Sequence, residues 1–301
     1  MTAPPPPGHQ PIPRRQEHPD FLQARAAARL TYRRAGHIRA VHTFGAIGLA
    51  LLAPLLVIFW PDASDVLAVL AVIWLLAART ALDTWHRRTH LKAVHYQELF
   101  DTDLFSLPWN TSLAGPRRLV REALTTRTYP VTGRDHDWYE NVPNVPWPLD
   151  VLACQTQNLM WTRRNHRAYA RLLWTALALT ALAATILAAA KALTLEQAII
   201  QLAVPLTPAL LDLAELPRRH IDAARTQEQL EEAIDDLLTQ RTAGRAVTAE
   251  DCREIQDGIF ERRAHQPPVP TFIHNHLHSA TSAAATARMH DLTDELTRPQ
   301  P

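Results

Sequence analysis

Five histidines are spaced as metal ligands could be. His86 and His90 lie four residues apart, and His274, His276 and His278 form the run HNHLH. Such imidazoles can hold Zn²⁺, but neither group has a nearby cysteine or a suitably spaced carboxylate to complete four ligands, so no metal is expected. Asp101, Asp103, Asp135 and Asp137 could in principle share acid and base roles. Nothing in the sequence brings them together, and they read as helix caps or ion-pair partners. The chain lacks a P-loop, GxGxxG, GxSxG and HExxH. Neither an enzyme nor a cofactor is therefore expected.

Two further sets carry physical chemistry of another kind. Gln201, Pro205, Pro208 and Asp212 are spaced to share one face of a single helix. Prolines free backbone carbonyls there, and inside a bilayer such groups are tolerated only against protein or water. That face is a candidate pore or gate lining, with a kinked helix packed inside its own bundle as the alternative. Arg163, Arg164 and Arg167, with Arg171, form a basic set able to contact anionic lipid headgroups or a phosphate-bearing ligand.

The elements that must position these residues follow from hydropathy. Although 47% of the 301 residues are hydrophobic and the formal net charge is +1, the apolar residues gather into four blocks. Residues 43–61 carry no charge, close to the ~20 needed to cross ~30 Å of hydrocarbon. Residues 66–82 are interrupted only by Arg79, whose stem can snorkel. Residues 172–190 are again free of charge, and 197–216 include Asp212, which must sit near the interface or be paired because a central Asp costs about 2.5 to 3.5 kcal/mol. With 8 Gly, 23 Pro and little apolar–polar alternation, there is no strand signal. The expected fold is an all-α membrane protein built from two transmembrane hairpins with cytoplasmic helical regions.

Arg and Lys crowd the segments outside the hairpin turns, so both termini and the middle region are expected in the cytoplasm. The expected organisation is a disordered Pro-rich leader (1–20), an N-terminal helix with the first hairpin (21–82), a cytoplasmic region (83–170), the second hairpin (171–216) and cytoplasmic C-terminal helices (217–301). The second span should continue as a helix to about Phe100, ended by Pro108. Residues 128–148 carry four prolines and read as an ordered loop, after which a helix of about 43 residues runs from Pro148 through the third span. Leu230, Ala233, Ile234, Leu237 and Leu238 make an apolar stripe that needs a partner. Thr248 and Asp251 form a capping box for a helix stopped by Pro267, and a last polar helix covers 279–296. Cys154 and Cys252 are far apart and are not expected to pair.

Several short pieces occur in a telling order: Phe100, Asp101 and Thr102; Leu107, Pro108, Trp109 and Asn110; Trp138 and Tyr139; then Cys154, Gln155 and Asn158 before the second hairpin. With the tail IQDGIFERR followed by a Val-Pro segment, this order resembles the bacterial SMODS-associated four-transmembrane family of pore-forming effectors, over roughly residues 21–296. Thr156 and Gln157 fill variable positions, and the leader has no counterpart. The resemblance implies a multi-pass effector of the bacterial inner membrane in cyclic-oligonucleotide-based antiphage signalling (CBASS). Such an effector would assemble as a homo-oligomer in the lipid bilayer and permeabilise it, causing abortive infection, when a partner nucleotidyltransferase makes a cyclic oligonucleotide. No DNA or RNA partner is implied. The alternative is a membrane-anchored scaffold or sensor that forms no pore.

Overall fold

The computed structural model describes residues 10–59, 64–199 and 204–297. Every regular element among them is helical: α1 (Ile12–Arg15), α2 (Pro19–Phe59), α3 (Ser64–Ala77), α4 (Asp83–Phe105), α5 (Thr111–Ala114), α6 (Arg117–Thr125), α7 (Leu149–Ala190), α8 (Leu195–Ala198), α9 (Val204–Thr242), α10 (Ala249–His265) and α11 (Thr271–Thr297). A π-helical turn, Ala78–Leu82, joins α3 to α4 without a break. The expected all-α class is met.

Two long antiparallel pairs organise the molecule. Helix α2 runs against α4: the Ala35 carbonyl meets His86 Nδ1 at 3.0 Å, and Arg25 donates to Gln97 at 2.6 Å. Helix α7 runs against α9, where His166 meets His220 and Arg167 pairs with Glu228. Between them Phe100, Leu104, Phe105, Leu152, Leu159, Ile234 and Leu238 are fully buried, joined by Met289 and Leu292 of α11. The stripe on α9 thus finds its partners in α7, α10 and α11. Helix α11 begins at Thr271, earlier than expected, and its Ala285, Met289, Leu292 and Leu296 form a buried face at helical spacing.

Each pair changes character along its length. Buried side chains of α7 stop at Leu173; beyond it Leu179, Leu182 and Ile186 are exposed, as are Val66, Val69, Val72, Ile73 and Leu76 on α3. Apolar surface on this scale needs a cover. Among the described residues, α7 is the one helix long and apolar enough to cross a membrane by length and composition. The other three expected spans do not meet that measure: α3 has 14 residues, and stretches of the first hairpin turn and of the fourth span lie outside the described residues.

Two expectations need correction. The leader does not extend to residue 20: α1 folds onto the core, with Ile12 fully buried and Gln16 2% exposed. An apolar Ile after the prolines supplies the burial that a disordered tail lacks. Helix α4 continues past Phe100 to Phe105 and is ended by Ser106, not by Pro108. Ser106 takes the left-handed conformation (φ 57°), and the Leu107 N–H reaches the Thr102 carbonyl at 3.0 Å. Gln157 is a fastener. Its amide pairs with both backbone groups of Glu140, at 2.8 and 3.2 Å. Gln16 does the same to Tyr139 and Gln23 to Tyr129. In this way three glutamines hold a loop that has no regular secondary structure of its own.

Candidate functional site

Residues 97, 98 and 101 share one face of α4 because they are three and four apart. That face points into the body, toward α10 and the fastened loop. Asp101 is fully buried. It accepts from Arg263 Nη1 at 2.6 Å, from the Tyr139 hydroxyl at 2.8 Å and from Gln97 Nε2 at 3.0 Å. Glu98, 2% exposed, accepts from Arg253 at 2.8 Å and from Gln256 at 2.8 Å. Gln256 also meets Gln155 Nε2 at 3.2 Å, which in turn donates to the Cys252 carbonyl at 2.7 Å. Arg25 of α2 closes the set, donating to Gln97 and lying 3.2 Å from the centroid of the Trp138 ring.

Buried charge is tolerated only when paired and hydrogen-bonded, and here each carboxylate has several donors. Burial pushes the Glu98 carboxyl up to about 7, against the pull of Arg253 and Gln256. It lowers Arg25 to about 10, and it drives the Tyr139 hydroxyl and the Cys154 thiol well above their ordinary values. Cys154 and Cys252 are both free and buried. A phenol and a thiol held this way stay protonated at neutral pH; the hydrogen bonds hold α2, α4, α7, α10 and the loop in one geometry.

The residues singled out in the sequence divide into three groups. Phe100, Asp101, Trp138, Tyr139, Cys154, Gln155 and Asn158 converge: Phe100 stacks on Tyr139, and Asn158 Nδ2 lies 3.5 Å from the Tyr139 hydroxyl. Pro108, Trp109 and Asn110 form the rim beside Arg253. The Pro108 carbonyl accepts from Arg253 at 3.0 Å, Trp109 donates to the Gly115 carbonyl at 2.8 Å, and Asn110 caps α5 while donating to Asp257 at 2.9 Å. The third group lies elsewhere. Arg163 is 3.2 Å from Glu231 and Arg167 pairs with Glu228, so these two cations are neutralised by α9, while Arg164 stays half-buried. Gln201 lies outside the described residues. Pro205, Pro208 and Asp212 are helical within α9, but their side chains are outside what is described.

His86 and His90 do not converge on a metal site. Their rings stack and bond to the carbonyls of Ala35 and Arg263, at 3.0 and 2.8 Å. Asp103 pairs with Arg117 and Arg121, and Asp135 with Arg29 at 2.7 Å, both outside the buried set. Sequence reasoning missed Arg25, Glu98, Arg253, Gln256 and Arg263. The signal for the acids was their three-residue spacing inside QELFD. The cations gave none, because nothing local shows that an Arg on one helix faces a carboxylate far away in the chain. It also missed His166 and His220, whose Nδ1 atoms lie 2.8 Å apart where α7 and α9 leave the body. Burial lowers them to about 4 and about 3, so both are neutral and one donates to the other.

A protein of Bacillus cereus (strain VD146) named as a probable CBASS effector molecule is 25% identical over 199 residues, which cover 64% of this chain and 65% of that relative, just under two thirds of its length. No solved structure matches. The SMODS-associating 4TM effector domain model matches residues 10–292, starting where α1 packs onto the core. That description, together with the apolar half of α7, puts the chain at a membrane. The chain belongs to the SMODS-associating 4TM effector domain family.

Proposed function

We propose that this chain is a CBASS effector that crosses the bacterial inner membrane four times, over about 43–61, 66–82, 172–190 and 197–216, with both termini and the middle region in the cytoplasm. On a cyclic-oligonucleotide signal from a partner nucleotidyltransferase it assembles as a homo-oligomer and permeabilises the bilayer. The carrying observation is the Asp101–Arg263 ion pair. It ties α4, which leaves the first hairpin, to α10, which follows the second, and Tyr139 brings the middle loop to the same carboxylate. A change in this buried set would therefore be felt by both hairpins at once. The Gln201, Pro205, Pro208 and Asp212 face is the proposed gate, which rests on its spacing alone.

The test is to express the chain with its nucleotidyltransferase and follow membrane potential on infection. Wild type should depolarise the cell; Asp101→Asn, which leaves Arg263 buried without its counter-charge, should remain in the membrane fraction without depolarising. Phage protection with unchanged potential would refute the pore and favour a scaffold.

A further inference from the structure

Arg163 and Arg167 are held by α9, and a further basic surface lies on the other pair. Arg34 and His37 of α2, and Arg88 and Lys92 of α4, are exposed. Among the described residues none of the four has an ion pair with an acid, unlike Arg87, which Asp83 holds at 2.8 Å. They lie on one patch. Arg34, His37 and Val41 are three and four apart, as are Trp85, Arg88 and Lys92, so each set forms a stripe on its helix. The stripes meet where the Arg34 guanidinium lies 5.7 Å from the centroid of the exposed Trp85 ring.

The depth of the patch is also informative. Trp85 follows the expected end of the second span by three residues, Arg88 by six and Lys92 by ten, and Arg34 precedes the first span by nine, or about 5, 9, 15 and 14 Å of helix; the Arg34 guanidinium is brought level with Trp85 by its contact with that ring. The headgroup layer adds about 5 to 8 Å on each side of the hydrocarbon. Side chains on a helix lean toward its N-terminus, which on α4 is the membrane side, so Arg88 and Lys92 lean toward that layer. Directly beyond the patch Val41 and the apolar face of α3 are exposed. An indole at the boundary, cations just outside it and apolar side chains just inside match the order of an anionic lipid: glycerol region, phosphate, acyl chains.

We propose that Arg34, Arg88 and Lys92, with Trp85 as anchor, bind the phosphate headgroups of anionic lipids at the cytoplasmic leaflet. The proposal rests on the first hairpin being in the bilayer. Each cation contributes about five-fold to such binding at low salt. The test uses the full chain in nanodiscs of phosphatidylcholine with a minor share of phosphatidylglycerol, reading by mass spectrometry the ratio of the two lipids retained.

Wild type should enrich phosphatidylglycerol several-fold over the bulk ratio, and Arg34→Gln/Arg88→Gln/Lys92→Gln should bring it close to bulk. Added inorganic phosphate or a soluble cyclic dinucleotide should leave the enrichment unchanged. Equal enrichment in the triple variant, or its loss to the soluble anions, would overturn the proposal. Extraction of wild type from cell membranes at pH 11 would separately overturn the hairpin reading, whereas retention of both proteins with enrichment in wild type alone supports both.

Discussion

Asp101 has no access to water, so every hydrogen bond it accepts comes from a protein donor. The same holds for Glu98, and the two differ in what surrounds them: Asp101 meets Arg263, a phenol and an amide, whereas Glu98 shares Gln256 and meets Arg253. The Glu98 carboxyl, raised from 4.5 to about 7 by burial, gives a pH dependence with a definite sign. Between those values the folded chain holds a proton that the unfolded chain has released. Its contribution to stability is full below about pH 4.5 and is lost as pH rises to about 7. Buried histidines lowered from 6.5, such as His166, act in the opposite direction over an overlapping range. The readout is therefore the difference between proteins. Glu98→Gln, which cannot ionise, should lose less stability than wild type between pH 5 and 7, by about 2 kcal/mol. Parallel melting curves across that range would show that Glu98 does not titrate there.

At the scale of elements, the middle loop is held by side-chain amides imitating a neighbouring strand. Gln16, Gln23 and Gln157 each supply one donor and one acceptor to a single loop residue, and Asp135 bonds the Thr132 backbone while gripping Arg29. Removing such an amide strands two backbone groups, at about 1 to 3 kcal/mol for each one left buried and unpaired. Gln157→Ala should raise hydrogen exchange across 128–148 at least ten-fold while the α7 amides around Leu152 keep their protection. Uniform loosening of α7 and the loop would mean that Gln157 acts through the helix instead. Helix boundaries were largely legible because their signals are local: Thr248 and Asp251 form the capping box that starts α10, and the helix stops just before Pro267. Ser106 was not legible as a helix end, since nothing local marks a serine for the left-handed conformation.

For the whole molecule, the helical body and the apolar halves of the long helices meet at a boundary marked by His166, His220 and Trp85. If both hairpins cross the bilayer, the turn after α7 lies outside the cell and the middle loop inside. A cysteine introduced by Leu193→Cys should then react with a membrane-impermeant maleimide in intact spheroplasts, and Gly133→Cys only after permeabilisation. The native thiols are buried and should stay silent. Labelling of both sites in intact cells, or of Gly133→Cys alone, would exclude the proposed topology.

The sequence alone determined the helical class, the four apolar blocks, the extent of α7 and the motif order that names the family. Each depends on residues close together in the chain, through periodicity, caps and prolines. Only the tertiary structure decided that Asp101 and Glu98 meet Arg263 and Arg253, that Gln157 is a fastener, that Ile12 belongs to the core, and that Arg163 and Arg167 are already paired. These are contacts between helices distant in sequence. Whether a charge is neutralised there depends on which faces the packing brings together, and no local pattern carries that information.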